Sequence, residues 1–137
     1  MNILDCVTYF DEDVILELRL NILNDYVDKF IITEGEYDHR GNKRKLNFNL
    51  DKYKDFKDKI VYLPVSEFPS LKNPWQMLEY QRNYAMQEIK KYDDEFYILV
   101  SDIDEIPNPE KFKEFQLSNS KYGAFEQLFF YYKLNFM

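Results

Sequence analysis

Apolar residues fall along the chain in two alternating patterns, short unbroken or alternating runs and longer stretches with helical spacing. Asn2 to Tyr9, Lys29 to Thr33, Ile60 to Val65 and Phe96 to Val100 read as four strands. Between the first two, Val14, Ile15, Leu18, Ile22 and Tyr26 predict a helix from about Glu12 to Asn24, capped by Asp11 and buried along that stripe. Glu17, Arg19 and Asn21 lie largely off the stripe and read as its solvated side. Asn49 or Asp51 can cap a short helix carrying Tyr53 and Phe56. Asn73 as N-cap, Pro74 at the first helical position and Gln76 where it can close a capping box start another helix, running to about Lys91. Its inward stripe is Leu78, Arg82, Ala85 and Ile89. Asn108 and Pro109 repeat the cap-plus-proline device for a short helix over Glu110 to Phe115. Strand and helix in alternation predict one α/β domain, with a mainly parallel sheet flanked by helices in a Rossmann-like layer order. With 3 Gly in all and no GxGxxG, the chain carries no dinucleotide fingerprint. Tyr122 to Phe136 reads as one long strand, or two short ones broken near Gln127. Because the pattern is still that of a strand at its last residue, the sheet is expected to be incomplete, closed by further chain or by a second copy in a homo-oligomer.

The chemistry concentrates at strand ends. The apolar run Phe96 to Val100 reads as a strand buried on both faces, and it stops at Asp102, Asp104 and Glu105. Carboxylates crowded there repel one another unless a cation or a donor-rich ligand compensates. An Asp-x-Asp pair can face one hard cation whose remaining positions take phosphate oxygens, while the structural alternative is an acidic surface turn closed by Pro107 and Pro109. Glu34 ends the second strand, and Asp5 is an oddly placed acid near the middle of the first. Segment 35–49 lacks either periodicity and reads as a loop, where Arg40, Lys43, Arg44 and Lys45 either meet an anionic ligand or stay solvated. Arg82 occupies a core-facing helical phase, so its guanidinium needs a donor phosphate, a strand-end acid or another structural partner. Trp75 and Tyr80 read as packing groups before stacking groups, and Cys6 as a core thiol.

Composition narrows the partners. The 137 residues include 12 Tyr and 12 Phe, enough apolar surface for a core. A net charge of -7 argues against nucleic acid as the main partner. A negatively charged ligand would need a divalent cation or a local arginine to be received. One cysteine and one histidine, His39, exclude an internal disulfide framework and a His-rich zinc site. No run approaches the ~18 apolar residues of a membrane span. The N-terminus lacks a secretory pattern, so the expected compartment is the cytoplasm.

Three blocks in order, DCVTYFDEDVILELRLNILNDYVDKFIITEG near the start, EYQRN at Glu79 to Asn83 and YILVSDIDEIPNP at Tyr97 to Pro109, resemble one enzyme family. It is the β-1,4-mannosyl-glycoprotein β-1,4-N-acetylglucosaminyltransferases, the bisecting-GlcNAc transferases and their bacterial and viral relatives. The resemblance implies a GT-A-like nucleotide-sugar-binding fold and transfer of a sugar, N-acetylglucosamine, from a UDP-sugar to a glycan acceptor with Mn²⁺ or Mg²⁺. It places the family's Asp-x-Asp on Asp102 and Asp104 as metal ligands with Glu105 beside them, and its arginine after glutamine on Arg82. Asp104, Glu105 and Arg82 are thereby the catalytic candidates, and Asp5, Glu34, Arg82 and Asp102 the donor-binding ones. It also implies that the acceptor-side half lies outside these 137 residues. The base is left unassigned, Glu126 being the strand-borne acid downstream. Two other readings stand beside it. One is a donor-binding domain that does not transfer; the other, an Asp-x-Asp phosphotransferase, fits less well, since Ile106 stands where such enzymes carry Thr or Val.

Overall fold

The computed structural model describes residues 2–92 and 95–128. Four strands, β1 (Asn2–Tyr9), β2 (Lys29–Gly35), β3 (Ile60–Val65) and β4 (Phe96–Val100), form one sheet in the order β3-β2-β1-β4, with every pair parallel. The chain works outward from β1 to β3 and then returns to lay β4 on the other side of β1, so the strand order reverses between β1 and β4. In open parallel sheets that reversal leaves a crevice beyond the carboxyl ends of the two strands, where ligands bind.

Alternation along β1 and β2 divides the core between the two faces of the sheet. Ile3, Val7, Tyr9, Phe30 and Ile32 pack under α1 (Asp13–Leu23), a 3₁₀ segment (Leu50–Phe56) and, further on, α4 (Lys111–Leu117). Leu4, Cys6 and Ile31 face the opposite side, with Ala85 between α2 (Pro74–Tyr84) and the short α3 (Met86–Ile89). Burial pushes the Cys6 thiol up to about 12, so it is the inert core thiol expected of its place in the strand.

Helix starts follow local chemistry. Asn73 Oδ1 accepts from the Trp75 and Gln76 amides at 3.0 and 3.4 Å, with Pro74 in the first turn. Asn49, rather than Asp51, caps the 3₁₀ segment by accepting from the Asp51 amide. Asp11 does not cap α1 with its side chain; the Glu12 carboxylate instead accepts from the Phe10 and Asp11 amides. Asp13, in the first turn, takes hydrogen bonds from the Tyr9 and Tyr53 hydroxyls and an ion pair from Lys52. Those partners, Lys52 first, lower its carboxyl to about 2.

Four expectations need correction. The buried face of α1 is Leu16, Arg19, Leu20 and Leu23, while Val14 is 78% exposed and Leu18, Ile22 and Tyr26 lie outward. Two apolar stripes overlap on this helix, and the one that carries Arg19 wins because Asp5 lies beneath it. The helix expected to reach Lys91 breaks at Ala85. The fourth strand is not buried on both faces, since β4 is the edge of the described sheet and Ile98 and Val100 stand half-exposed. Residues 122–128 form no strand, and the remainder of the expected terminal strand lies outside the described residues.

Gly41 adopts φ +79°, and a Cβ there would sit 2.6 Å from the Leu71 carbonyl oxygen. Gly41→Ala is therefore expected to lower stability by about 1–2 kcal/mol, since alanine pays both the left-handed backbone and a clash with main chain. A urea midpoint equal to that of wild type would contradict this.

Candidate active site

The acid loop begins where β4 ends. Ser101 to Glu105 fold into a turn in which the Glu105 amide donates to the Asp102 carbonyl at 3.0 Å and the Asp102 amide donates to Glu105 Oε2 at 3.0 Å. Ile103 points inward and is 6% exposed, so Asp102 and Asp104 on either side of it face out. Ile103 is thus a buried anchor between two exposed aspartates.

Arg82, from α2, donates to Asp102 Oδ1 at 2.5 Å, which brings together two of the sequence candidates. Its side chain is 40% exposed, so it is not the buried guanidinium its helical phase suggested, and its partner is the strand-end acid. Asp104 makes no hydrogen bond or ion pair with the described residues and remains open to a ligand.

The buried guanidinium is Arg19, at 0% exposure. Its Nε and Nη2 donate to the two oxygens of Asp5 at 2.8 and 2.7 Å in a bidentate pair. Nη2 also reaches Ser101 Oγ at 2.8 Å, and Nη1 reaches the carbonyls of Asp102, Ile103 and Glu105 at 3.1, 3.3 and 3.1 Å. Asp5, expected among the donor-binding residues, is fully buried with both oxygens taken by Arg19, so it sits behind the acid loop. Periodicity placed Arg19 on the solvated side. The signal that could have found it was the unexplained acid in the middle of a buried strand, which demands a cation from whatever packs on it.

Glu34 follows the same logic at the end of β2. It is fully buried, and its oxygens accept from Arg44 Nη2, the Asn47 and Phe48 amides and the Tyr62 hydroxyl, at 2.7 to 3.0 Å. Rather than facing a ligand, it ties down the 35–49 loop. Arg44 is likewise spent inside, donating to the carbonyls of Gly35 and Phe10 and lying 3.9 Å above the Phe10 ring. Lys43 pairs with Glu36 at the surface, and Arg40 and Lys45 stand exposed.

Between this loop, β1 and α2 lies a small cleft of about 80 Å³, with Thr8, Phe10, Gly35, His39, Leu78 and Gln81 on its walls. Phe10 and His39 stack there at 6.5 Å. A larger, shallow hollow of about 510 Å³ lies beside Ile3, Tyr26 and Phe112, at the amino end of β1. It carries none of the candidate acids, and Asp102 and Asp104 lie at the other end of the sheet, past the carboxyl end of β4. Trp75 is 79% exposed, Tyr80 packs on Phe68 and Tyr84, and Glu126 lies exposed outside the sheet.

A divalent cation can be tested against the donor set. Among the described residues no three Asp, Glu, His or Cys side chains converge into a ready-made cage. Asp104 and the second oxygen of Asp102 are nonetheless hard, outward-facing ligands, and Mg²⁺-like cations commonly take only one or two carboxylates plus substrate phosphates and water. The residues fit a cation that arrives with a diphosphate, not one held by protein alone. No helix among the described residues is long and apolar enough to cross a membrane.

Searches of curated proteins and of solved structures each found no match. The family model described as Glycosyltransferase family 17 matches residues 1–129, a span holding β1 to β4, the Arg19 network, Arg82 and the acid loop. That coverage makes the chain a member of glycosyltransferase family 17.

Proposed function

We propose that the chain binds a UDP-sugar together with Mn²⁺ or Mg²⁺ at the carboxyl ends of β1 and β4 and transfers the sugar, N-acetylglucosamine, to a glycan acceptor. One observation carries the reading: an outward Asp-x-Asp at the strand-order reversal, in a chain that belongs to a glycosyltransferase family. Asp104 and Asp102 would hold the cation, which when bound neutralises charge on the departing nucleotide diphosphate. Arg82, which donates to Asp102 Oδ1, would supply a second positive centre by exchanging Asp102 for phosphate. Glu105 shapes the loop through the Asp102 amide. The cleft walled by Phe10, His39 and Gly35 opens at the carboxyl ends of β1 and β2, where the nucleoside would lie beside the stacked Phe10 and His39 rings.

Calorimetric titration with UDP-GlcNAc, UDP and GDP, each with and without Mn²⁺, tests the site. Binding is expected to require Mn²⁺ and to prefer the uridine ligands. Asp104→Ala should remove the metal-dependent part and leave the fold unchanged; equal affinity in that variant would refute the assignment.

A second reading, donor binding without transfer, is favoured by the position of Glu126. It lies on an exposed segment outside the sheet, so no strand holds it as a base among the described residues. Transfer of sugar to any acceptor by the 137-residue chain would exclude this reading.

A further inference from the structure

Arg19 spends its donors unevenly for a residue whose task would be to neutralise Asp5. A guanidinium has five N–H groups. Two contacts satisfy Asp5, while four others run to Ser101 Oγ and to three carbonyls within the acid loop. Carbonyl oxygens that converge on one point repel each other unless a donor or cation occupies it, so the turn from Asp102 to Glu105 has Arg19 as its centre. The whole side chain is buried, and no part of it reaches a ligand. Stability alone does not explain such a group, because a buried ion pair can commonly be replaced by apolar residues at little cost.

We infer that Arg19, held by Asp5, is a positioning residue for the acid loop: it fixes the main chain over 101–105 so that Ile103 is anchored inward and Asp102 and Asp104 are presented together. Asp5 sets the angle of the guanidinium on β1, and Arg19 transmits it to the end of β4, the neighbouring strand. The arrangement ties the rigid centre of the sheet to the groups that must be held closely if they are to meet a diphosphate and its cation. The consequence for donor binding rests on the function proposed above; the tether itself does not.

Arg19→Lys separates the two roles. Lysine keeps a positive charge opposite Asp5, but its donors sit on a single nitrogen, which cannot hold Asp5 and the loop carbonyls at once as Nε, Nη2 and Nη1 do. Amide hydrogen exchange reads the tether directly, at the Asp102 and Glu105 amides, with β2 amides as the reference for the global fold. Exchange at those two amides is expected to speed up by about tenfold or more while β2 stays protected. In calorimetry, the affinity for Mn²⁺ with UDP is expected to fall by about tenfold. Should Arg19→Lys fail to fold, the double variant Asp5→Leu with Arg19→Met removes the tether along with the buried charges and is read in the same way. Unchanged loop exchange in a folded variant would overturn the inference. Loosened exchange with unchanged affinity would overturn its functional half. A wild-type chain that binds no UDP in Mn²⁺ would overturn the donor site instead, and loop exchange would still decide for or against the tether.

Discussion

Asp5→Ala is expected to cost about 3–5 kcal/mol, because it strands a buried guanidinium without its counter-charge. The loss is comparable with the whole stability of a marginal domain, about 5–15 kcal/mol. Both Asp5 and Arg19 are fully buried, so water cannot take over the two bonds that Asp5 now accepts. Asp5→Leu combined with Arg19→Met should recover most of that loss, since it removes the charges as a pair. Urea unfolding of the two variants beside wild type measures the difference. A loss below about 1 kcal/mol for Asp5→Ala would mean that the pair is far better hydrated than its burial indicates.

Glu34→Leu is expected to be nearly as damaging, at about 3 kcal/mol, with a different signature. Its carboxylate serves four donors, two of them main-chain amides at Asn47 and Phe48. Leucine leaves the two amides and the Tyr62 hydroxyl without an acceptor, while Arg44 keeps the carbonyls of Gly35 and Phe10. Arg44 and Asn47 lie near the surface and can recover water, which holds the cost below the sum of four lost bonds. The Tyr62 phenol, whose pKa burial and its bond to Glu34 raise, is left without its acceptor. Segment 36–48 should become a site of limited proteolysis while the sheet persists. Thermal unfolding and a digestion time course together check this, and a variant as resistant as wild type would refute it.

Much of the architecture was legible in the chain. The four strands were each bounded to within about two residues, because apolar runs flanked by polar loops leave little choice. Asn73 with Pro74 fixed a helix start by chemistry that is local and so survives any tertiary context. The acid loop at the end of β4 was legible for the same reason, and Arg82 pairs with an acid that the sequence had singled out.

What was illegible depended on contacts between distant segments. The rotation of α1 could not be read, because Val14, Leu18 and Ile22 make as good a stripe as Leu16, Leu20 and Leu23. Only the acid under the helix distinguishes them. Asp5 and Glu34 lay at positions that suggested ligand contact, yet each turned out to be enclosed by the chain's own donors. An acid at a strand end can face inward or outward, and sequence spacing does not tell which. The edge position of β4 followed from strand order, which periodicity does not encode.

The Arg19 tether also bears on the order of assembly. Arg19 and the carbonyls it holds are 83 to 86 positions apart, and they meet only when β4 lies against β1. β1 and β2 can pair across a single helix, whereas the β1–β4 pairing joins residues 94 positions apart, Asn2 with Phe96. Closing so long a loop is entropically late in folding. A nascent chain therefore carries Arg19 and Asp5 as a waiting pair, and the acid loop is the last part of this sheet to acquire its shape.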